Sequence, residues 1–154
     1  MAGWISLLGG LLVSVVLAVR WRRSGIPLAR ALTGAVNVFC GLVTVALGSL
    51  HAAAVLGVRI AAWSAGKKFE WDFRLYSLLL LSGVLIWAGI ICLWRSGALS
   101  RGRPEARRSA LHASLILLAT NLPLSPIQGL ALGLAALSLV NVVTLLAMRS
   151  RFAG

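Results

Sequence analysis

Residues 75–94, LYSLLLLSGVLIWAGIICLW, form a run of twenty residues without a charged side chain. A helix needs about 20 mainly apolar residues to cross the roughly 30 Å hydrocarbon core of a bilayer. Basic residues border the run on both sides, Arg74 before it and Arg95 after it. The run is therefore predicted to be a transmembrane helix, and the expected class is an integral membrane protein.

The composition of the whole chain agrees with this prediction. Of its 154 residues, 60% are hydrophobic and 12% are charged, whereas a soluble domain averages about 25% charged residues. Fifteen Lys and Arg residues stand against three acidic residues, which gives a formal net charge of +12. Because the basic residues lie between long apolar runs, as at the ends of membrane spans, nucleic acid is not the expected partner.

The apolar segments predict an all-α, polytopic helical bundle, with residues 1–154 as a single transmembrane domain. Five spans are expected, over residues 4–20, 28–63, 75–94, 109–122 and 129–148. The second segment exceeds the bilayer, so it must tilt, project beyond the membrane or break near Gly57. Pro123 and Pro126 end the fourth helix and make a hairpin of the last two spans. Four spans plus a re-entrant hairpin are the alternative, because the fourth segment is short.

The basic residues also predict the orientation of these spans. With the N-terminus outside, eleven of the fifteen Lys and Arg residues fall on the cytoplasmic side, and four fall on the outer side: Arg59, Lys67, Lys68 and Arg74. This excess follows the positive-inside rule and predicts an N-out/C-in topology. The cytoplasmic stretch RSGALSRGRPEARRS, residues 95–109, is expected to be a mobile loop whose arginines meet anionic lipids.

Residues 33–53, TGAVNVFCGLVTVALGSLHAA, carry a stripe of small and polar residues at helical spacing. The stripe consists of Gly34, Asn37, Gly41, Thr44, Gly48 and His51. A period of 3.5 residues places all of them on one helix face. Lipid gives no hydrophobic drive for helix association, so small residues and interhelical hydrogen bonds supply it instead. The stripe is predicted to be a packing seam, and a ligand-facing pathway is the alternative.

The last span offers a partner for this seam. It contains Asn141 and Thr144, and it begins with the GxxxG motif GLALG, residues 129–133. Counted at 1.5 Å per residue from the flanking arginines, Asn37 and Asn141 both lie about 10–12 Å from the cytoplasmic side. We therefore predict that spans two and five pack together, with Asn37 in contact with Asn141.

Few residues could hold a cofactor or a metal ion. His51 and His112 are the only histidines, and each could bind a haem or a chlorophyll-type pigment alone. Counting residues places them near opposite sides of the membrane, so a haem held by both is not expected. Cys40 and Cys92 lie inside apolar runs and are predicted to be buried fillers rather than a disulfide. The cofactor therefore stays unknown, and no metal site is predicted.

Catalytic chemistry has little support. The three acids are Glu70, Asp72 and Glu105, and the first two are expected on the opposite side of the membrane from the third. No Ser-His-Asp set is expected at one membrane level, and the sequence shows no phosphate-binding glycine loop and no acid within an apolar segment. The chain is therefore not expected to be an enzyme.

The outer loop SAGKKFEWDFR, residues 64–74, is the one stretch that resembles a contact surface, because aromatic and charged residues alternate in it. We expect either lipid head groups or a partner subunit to contact it. The candidate contact residues are Lys67, Lys68, Phe69, Trp71, Phe73 and Arg74.

These features predict a non-catalytic accessory subunit or assembly factor of a larger complex of integral membrane subunits. The excess of arginine over lysine favours a bacterial source, and hence the inner membrane as location. A first alternative is a small homo-oligomeric transporter, channel or lipid-handling protein, with a route between protomers along Asn37, Thr44 and His51. A second is a haem- or (bacterio)chlorophyll-binding subunit of an electron-transfer or photosynthetic complex.

Overall fold

The computed structural model describes residues 2–66, 73–122 and 129–149, and nearly all of these residues are helical. In chain order the helices are α1 (Ala2–Arg23), α2 (Leu28–Ser64), α3 (Phe73–Ser100), α4 (Pro104–Asn121) and α5 (Gly129–Ala147). The described part of the chain contains no strand, so the all-α prediction is confirmed. Each helix overlaps one of the five predicted apolar segments, although α3 ends six residues later and α4 begins five residues earlier than predicted.

Two stretches within the described residues are long and apolar enough to cross a membrane, Leu28–Ser64 and Leu75–Ser100. A third apolar stretch, Ala131–Ala147, is shorter. Length and composition therefore support two of the five predicted crossings directly.

Helix α2 is continuous over 37 residues, which corresponds to about 55 Å at 1.5 Å per residue. The expected alternative of a break near Gly57 is wrong. An isolated glycine costs a helix only about 1 kcal/mol relative to alanine, and strong helix formers such as Ala54 and Leu56 surround this one. Helices α1, α4 and α5 have 22, 18 and 19 residues, so α2 is far longer than these three.

The connection between α3 and α4 differs from the predicted mobile loop. Only a turn of three residues separates Ser100 from Pro104. Gly102 adopts a positive φ of 80°, and its N–H donates to Leu99 O at 2.9 Å. The next N–H, of Arg103, donates to Ala98 O at 3.0 Å. This is a Schellman ending, and proline suits the first position of the following helix, so most of the polar stretch is helical.

Helix α2 lies at the centre of the bundle and contacts α1, α3 and α5, while α4 packs against α3 and α5. The main core joins α2, α3, α4 and α5 through eight buried residues: Cys40, Val43, Leu85, Ala88, Cys92, Ala113, Leu117 and Leu134. A smaller core near the α3–α4 turn contains Leu99, Ala106, Ala110 and Leu145.

Candidate functional site

The glycines of the α2 stripe bring α2 and α3 into backbone contact. A Cβ atom added to Gly41 would lie 2.8 Å from Gly89 O, and one added to Gly89 would lie 2.9 Å from Gly41 O. One added to Gly48 would lie 3.0 Å from Ser82 O. Distances of 3.0 Å or less leave no room for a side chain at these glycines. Helix α3 therefore packs directly against the glycines of the stripe.

Gly34, the third glycine of the stripe, packs closer to the start of α2. A Cβ atom at Gly34 would lie 2.6 Å from the Trp21 ring of α1 and 3.2 Å from Ser96 O of α3. The stripe is thus a packing seam within one chain, and its main partner is α3 rather than α5.

Four buried side chains, one from each of α2, α3, α4 and α5, form a polar junction: Asn37, Ser96, Ser114 and Asn141. Asn37 donates through Nδ2 to Cys92 O and to Ser96 Oγ, the latter at 3.0 Å. Asn141 donates through Nδ2 to Asn37 Oδ1 at 2.9 Å and to Ser114 Oγ at 2.8 Å. The predicted contact between Asn37 and Asn141 is therefore confirmed.

The polar junction is shielded from solvent, since all four residues are at most 2% exposed. Each serine also donates to the carbonyl four residues earlier in its own helix, Ser96 to Cys92 O and Ser114 to Ala110 O. Both hydroxyls can therefore accept from an asparagine amide while their own protons are engaged. The junction links four helices at one level through buried polar side chains.

Three buried side-chain atoms have no hydrogen-bond partner among the described residues: His51 Nδ1, Ser138 Oγ and Asn141 Oδ1. Ser138 and Asn141 are three residues apart on α5, so they lie on the same face of that helix. An unpaired buried acceptor costs about 1–3 kcal/mol. The unpaired Oδ1 of Asn141 carries this cost, while its Nδ2 donates two hydrogen bonds within the junction.

Two predicted members of the seam do not enter the junction. Thr44 is buried, but its hydroxyl donates to Cys40 O of its own helix at 2.6 Å. Thr144 donates likewise to Val140 O at 2.7 Å. Gly133 has no described atom within 4 Å of its Cβ position and is exposed. The expectation that the GLALG motif faces α2 is therefore wrong at Gly133.

Ser96 and Ser114 were not anticipated from the sequence. Serine on a membrane helix commonly bonds to its own backbone, so a lone serine carries little information. The available signal was position along the helix, because Ser96 lies near the arginine-rich end of α3, just as Asn37 and Asn141 lie near that end of α2 and α5. Ser114 could have been found by counting ten residues up α4 from Pro104.

The two histidines lie far apart along the bundle. His51 is fourteen residues beyond Asn37 on α2, a rise of about 21 Å. His112 is two residues before Ser114 on α4, close to the level of the polar junction. His51 is half-buried and His112 is exposed. Among the described residues no three His, Cys, Asp or Glu side chains come together as a metal site.

The cysteines occupy the main core. Cys40 of α2 and Cys92 of α3 are both free and fully buried, which confirms their prediction as fillers rather than a disulfide. Both belong to the same buried cluster, in which α2 packs against α3. Cysteine is small and apolar enough to fit where two helix backbones approach closely.

Most of the outer contact surface falls outside the described residues. Lys67, Lys68, Phe69 and Trp71 lie in the gap before α3, and the side chain of Arg74 is likewise outside the description. Phe73, the first residue of α3, is 86% exposed. Its exposure is compatible with contact to lipid or to a partner.

Comparisons with known protein families, with curated proteins and with solved structures gave no match for this chain.

Proposed function

We propose that this chain is a five-span, N-out/C-in protein of the bacterial inner membrane and acts there as a non-catalytic subunit or assembly factor of a larger membrane complex. The observation that carries the proposal is the distribution of polarity. Asn37 and Asn141 are 0% exposed, while Leu8 and Leu12 of α1 are each 66% exposed. A water-soluble protein buries its leucines and exposes its asparagines.

The apolar outer surface extends over every helix. Large apolar side chains at least 40% exposed include Leu12 of α1, Ile60 of α2, Leu80 of α3, Leu115 of α4 and Val143 of α5. Soluble monomers rarely expose contiguous apolar surface beyond a few hundred Å². Lipid on all sides accounts for this surface, and it favours five crossings over two.

The charge distribution supports the orientation. Arginines gather where α1, α3 and α5 end and where α2 and α4 begin, which is one end of the bundle. Those exposed to solvent are Arg20, Arg22, Arg23, Arg101, Arg103, Arg108 and Arg149. Such an excess marks the cytoplasmic side of a membrane protein.

The lateral contact surface of the proposed subunit is on α5. The seam of α2 is occupied by α3 of the same chain, so it is not available to a partner. Helix α5 instead presents a stripe of small or β-branched residues outward, spaced alternately by three and four: Gly133, Ala136, Val140, Val143 and Ala147. Faces of this kind let membrane helices approach closely. We name these five residues the outer stripe.

The alternative of a transport route between protomers has less support. Asn37 and Thr44 are both 0% exposed and lie inside a single chain. A route along them would have to pass through the bundle, not between copies. Neither histidine is accompanied by a feature that favours haem or pigment over packing.

Topology mapping combined with native purification tests the proposal. Single cysteines are introduced at Ser24 and Gly66, which are exposed and at opposite ends of α2. The native thiols are buried, so they give little background with a membrane-impermeant maleimide. In intact spheroplasts we expect labelling at position 66 and none at position 24 until the membrane is opened.

Gentle extraction should then recover the chain with distinct subunits. The reverse labelling contradicts the topology, and a lone monomer contradicts the subunit role.

A further inference from the structure

The exposed face of α3 ends in a cluster of basic and aromatic residues. Leu80, Trp87, Ile90 and Trp94 are all more than half exposed and follow one another at spacings of seven, three and four. They therefore form one apolar stripe along the helix. Arg101 follows Trp94 by seven residues and continues the same face beyond the end of α3.

Two arginines border the Trp94 end of this stripe. The Arg95 guanidinium carbon lies 5.0 Å from the centroid of the Trp94 ring, which is the geometry of a cation–π contact. Arg101 donates through Nε to Gly97 O at 3.0 Å. Its side chain is thereby folded back along α3 toward Trp94.

Gly97 leaves a gap on this face of α3 between Trp94 and Arg101. Within the described part of the chain, only the Arg101 guanidinium comes within 4 Å of its Cβ position, at 3.9 Å. A side chain here would occupy the surface between Trp94 and Arg101. We call this gap the notch; the Arg101 guanidinium borders it, and the apolar surface of Trp87 and Ile90 continues from it along α3.

We propose that this notch binds the head group of an anionic phospholipid, and the inference rests on the proposed membrane location. Guanidinium groups hold phosphate through paired, charge-assisted hydrogen bonds. Arg95 is five residues before the end of α3, about 8 Å along the helix, which is the depth at which interfacial tryptophan meets lipid head groups. The acyl chains would lie along Ile90 and Trp87. A soluble acidic partner would instead meet the arginines on the end surface of the bundle.

Native mass spectrometry of the delipidated full-length protein in a non-ionic detergent tests the proposal. Phosphatidylglycerol and phosphatidylcholine are titrated in turn, and inorganic phosphate is added as a competitor. The site variant carries Arg95→Gln and Arg101→Gln. The matched control carries Arg22→Gln and Arg23→Gln, which removes the same charge from exposed arginines of α1. A third variant, Gly97→Leu, fills the notch and keeps both arginines.

We expect one tightly held phosphatidylglycerol, weakened about tenfold or more in the site variant and less than about threefold in the control. Gly97→Leu should also weaken it, and phosphatidylcholine should not reach the same occupancy. Equal weakening in site and control variants would overturn the proposal, and so would equal binding of phosphatidylcholine. Displacement by millimolar phosphate would assign the notch to free phosphate instead. Extraction of the protein by alkaline carbonate would refute the membrane location separately.

Discussion

Asn37 Oδ1 accepts a hydrogen bond from Asn141 Nδ2 at 2.9 Å, across 104 positions of sequence. The bond joins the central helix to the last one and lies where both residues are fully buried. Few contacts link α2 directly to α5, so this bond and its two serine neighbours fix the level at which the helices meet. In lipid, where apolar surface cannot set that level, polar side chains are the groups that can.

Loss of the asparagine pair should destabilise the bundle. Asn141→Leu removes the donors to Asn37 and Ser114, and we expect a loss of about 1–2 kcal/mol in the free energy of unfolding. Reversible unfolding in mixed micelles measures it. Thr144→Val is the control, because that hydroxyl bonds only to its own helix. A double-mutant cycle with Asn37→Leu should give a stabilising coupling energy between the two asparagines. A coupling energy of zero would show that their hydrogen bond contributes nothing to stability.

Glycine at the α2–α3 contact should not tolerate a side chain. Gly89→Leu places its Cβ 2.9 Å from Gly41 O, and overpacking of this kind costs about 1–3 kcal/mol or more. Gly83→Leu is matched to it, since Gly83 is on the same helix with no described atom within 4 Å of its Cβ position. Thermal denaturation in detergent should show a lower melting temperature for the first variant only. Equal melting temperatures would argue against the close approach of the two backbones.

The native thiols should be protected while the bundle is folded. Cys40 and Cys92 are both 0% exposed, so a maleimide should label neither in mild detergent and both after denaturation in dodecyl sulfate. Ser24→Cys supplies an exposed thiol as the positive control. Rapid labelling of Cys92 in the folded protein would contradict the packing of α3 against α2 and α4.

The outer stripe should govern association with partners and not folding. Ala136→Leu adds bulk where α5 faces outward, and we expect recovery of co-purifying subunits to fall about fivefold or more while stability is unchanged. Gly9→Leu on α1 is the control, because it also adds bulk at an exposed position. If Ala136→Leu leaves the recovery of co-purifying subunits unchanged, α5 is not part of the interface.

Hydropathy and residue counting anticipated the helices and one contact well. The apolar segments located five helices, and equal depth from the flanking arginines brought Asn37 to Asn141. The same reasoning assigned the glycines of α2 to the wrong partner, because a small residue shows that a backbone approaches closely but not which one. The α3–α4 stretch was misjudged for a local reason. Glycine and proline in a polar stretch favour a mobile loop by composition, whereas Gly102 and Pro104 mark a helix end and the start of the next helix.

Helix α2 is about twice as long as α4. Helix α4 has 18 residues, or about 27 Å, and matches only the hydrocarbon core of a bilayer, whereas α2 at about 55 Å exceeds it. Tilted by about 40°, the upper end of the range for membrane helices, α2 would still cover about 42 Å. On the proposed topology, α2 must therefore project beyond the hydrocarbon core that α4 matches, or thicken the bilayer on its own side of the bundle. Either arrangement would favour neighbours with longer spans beside α2 than beside α4.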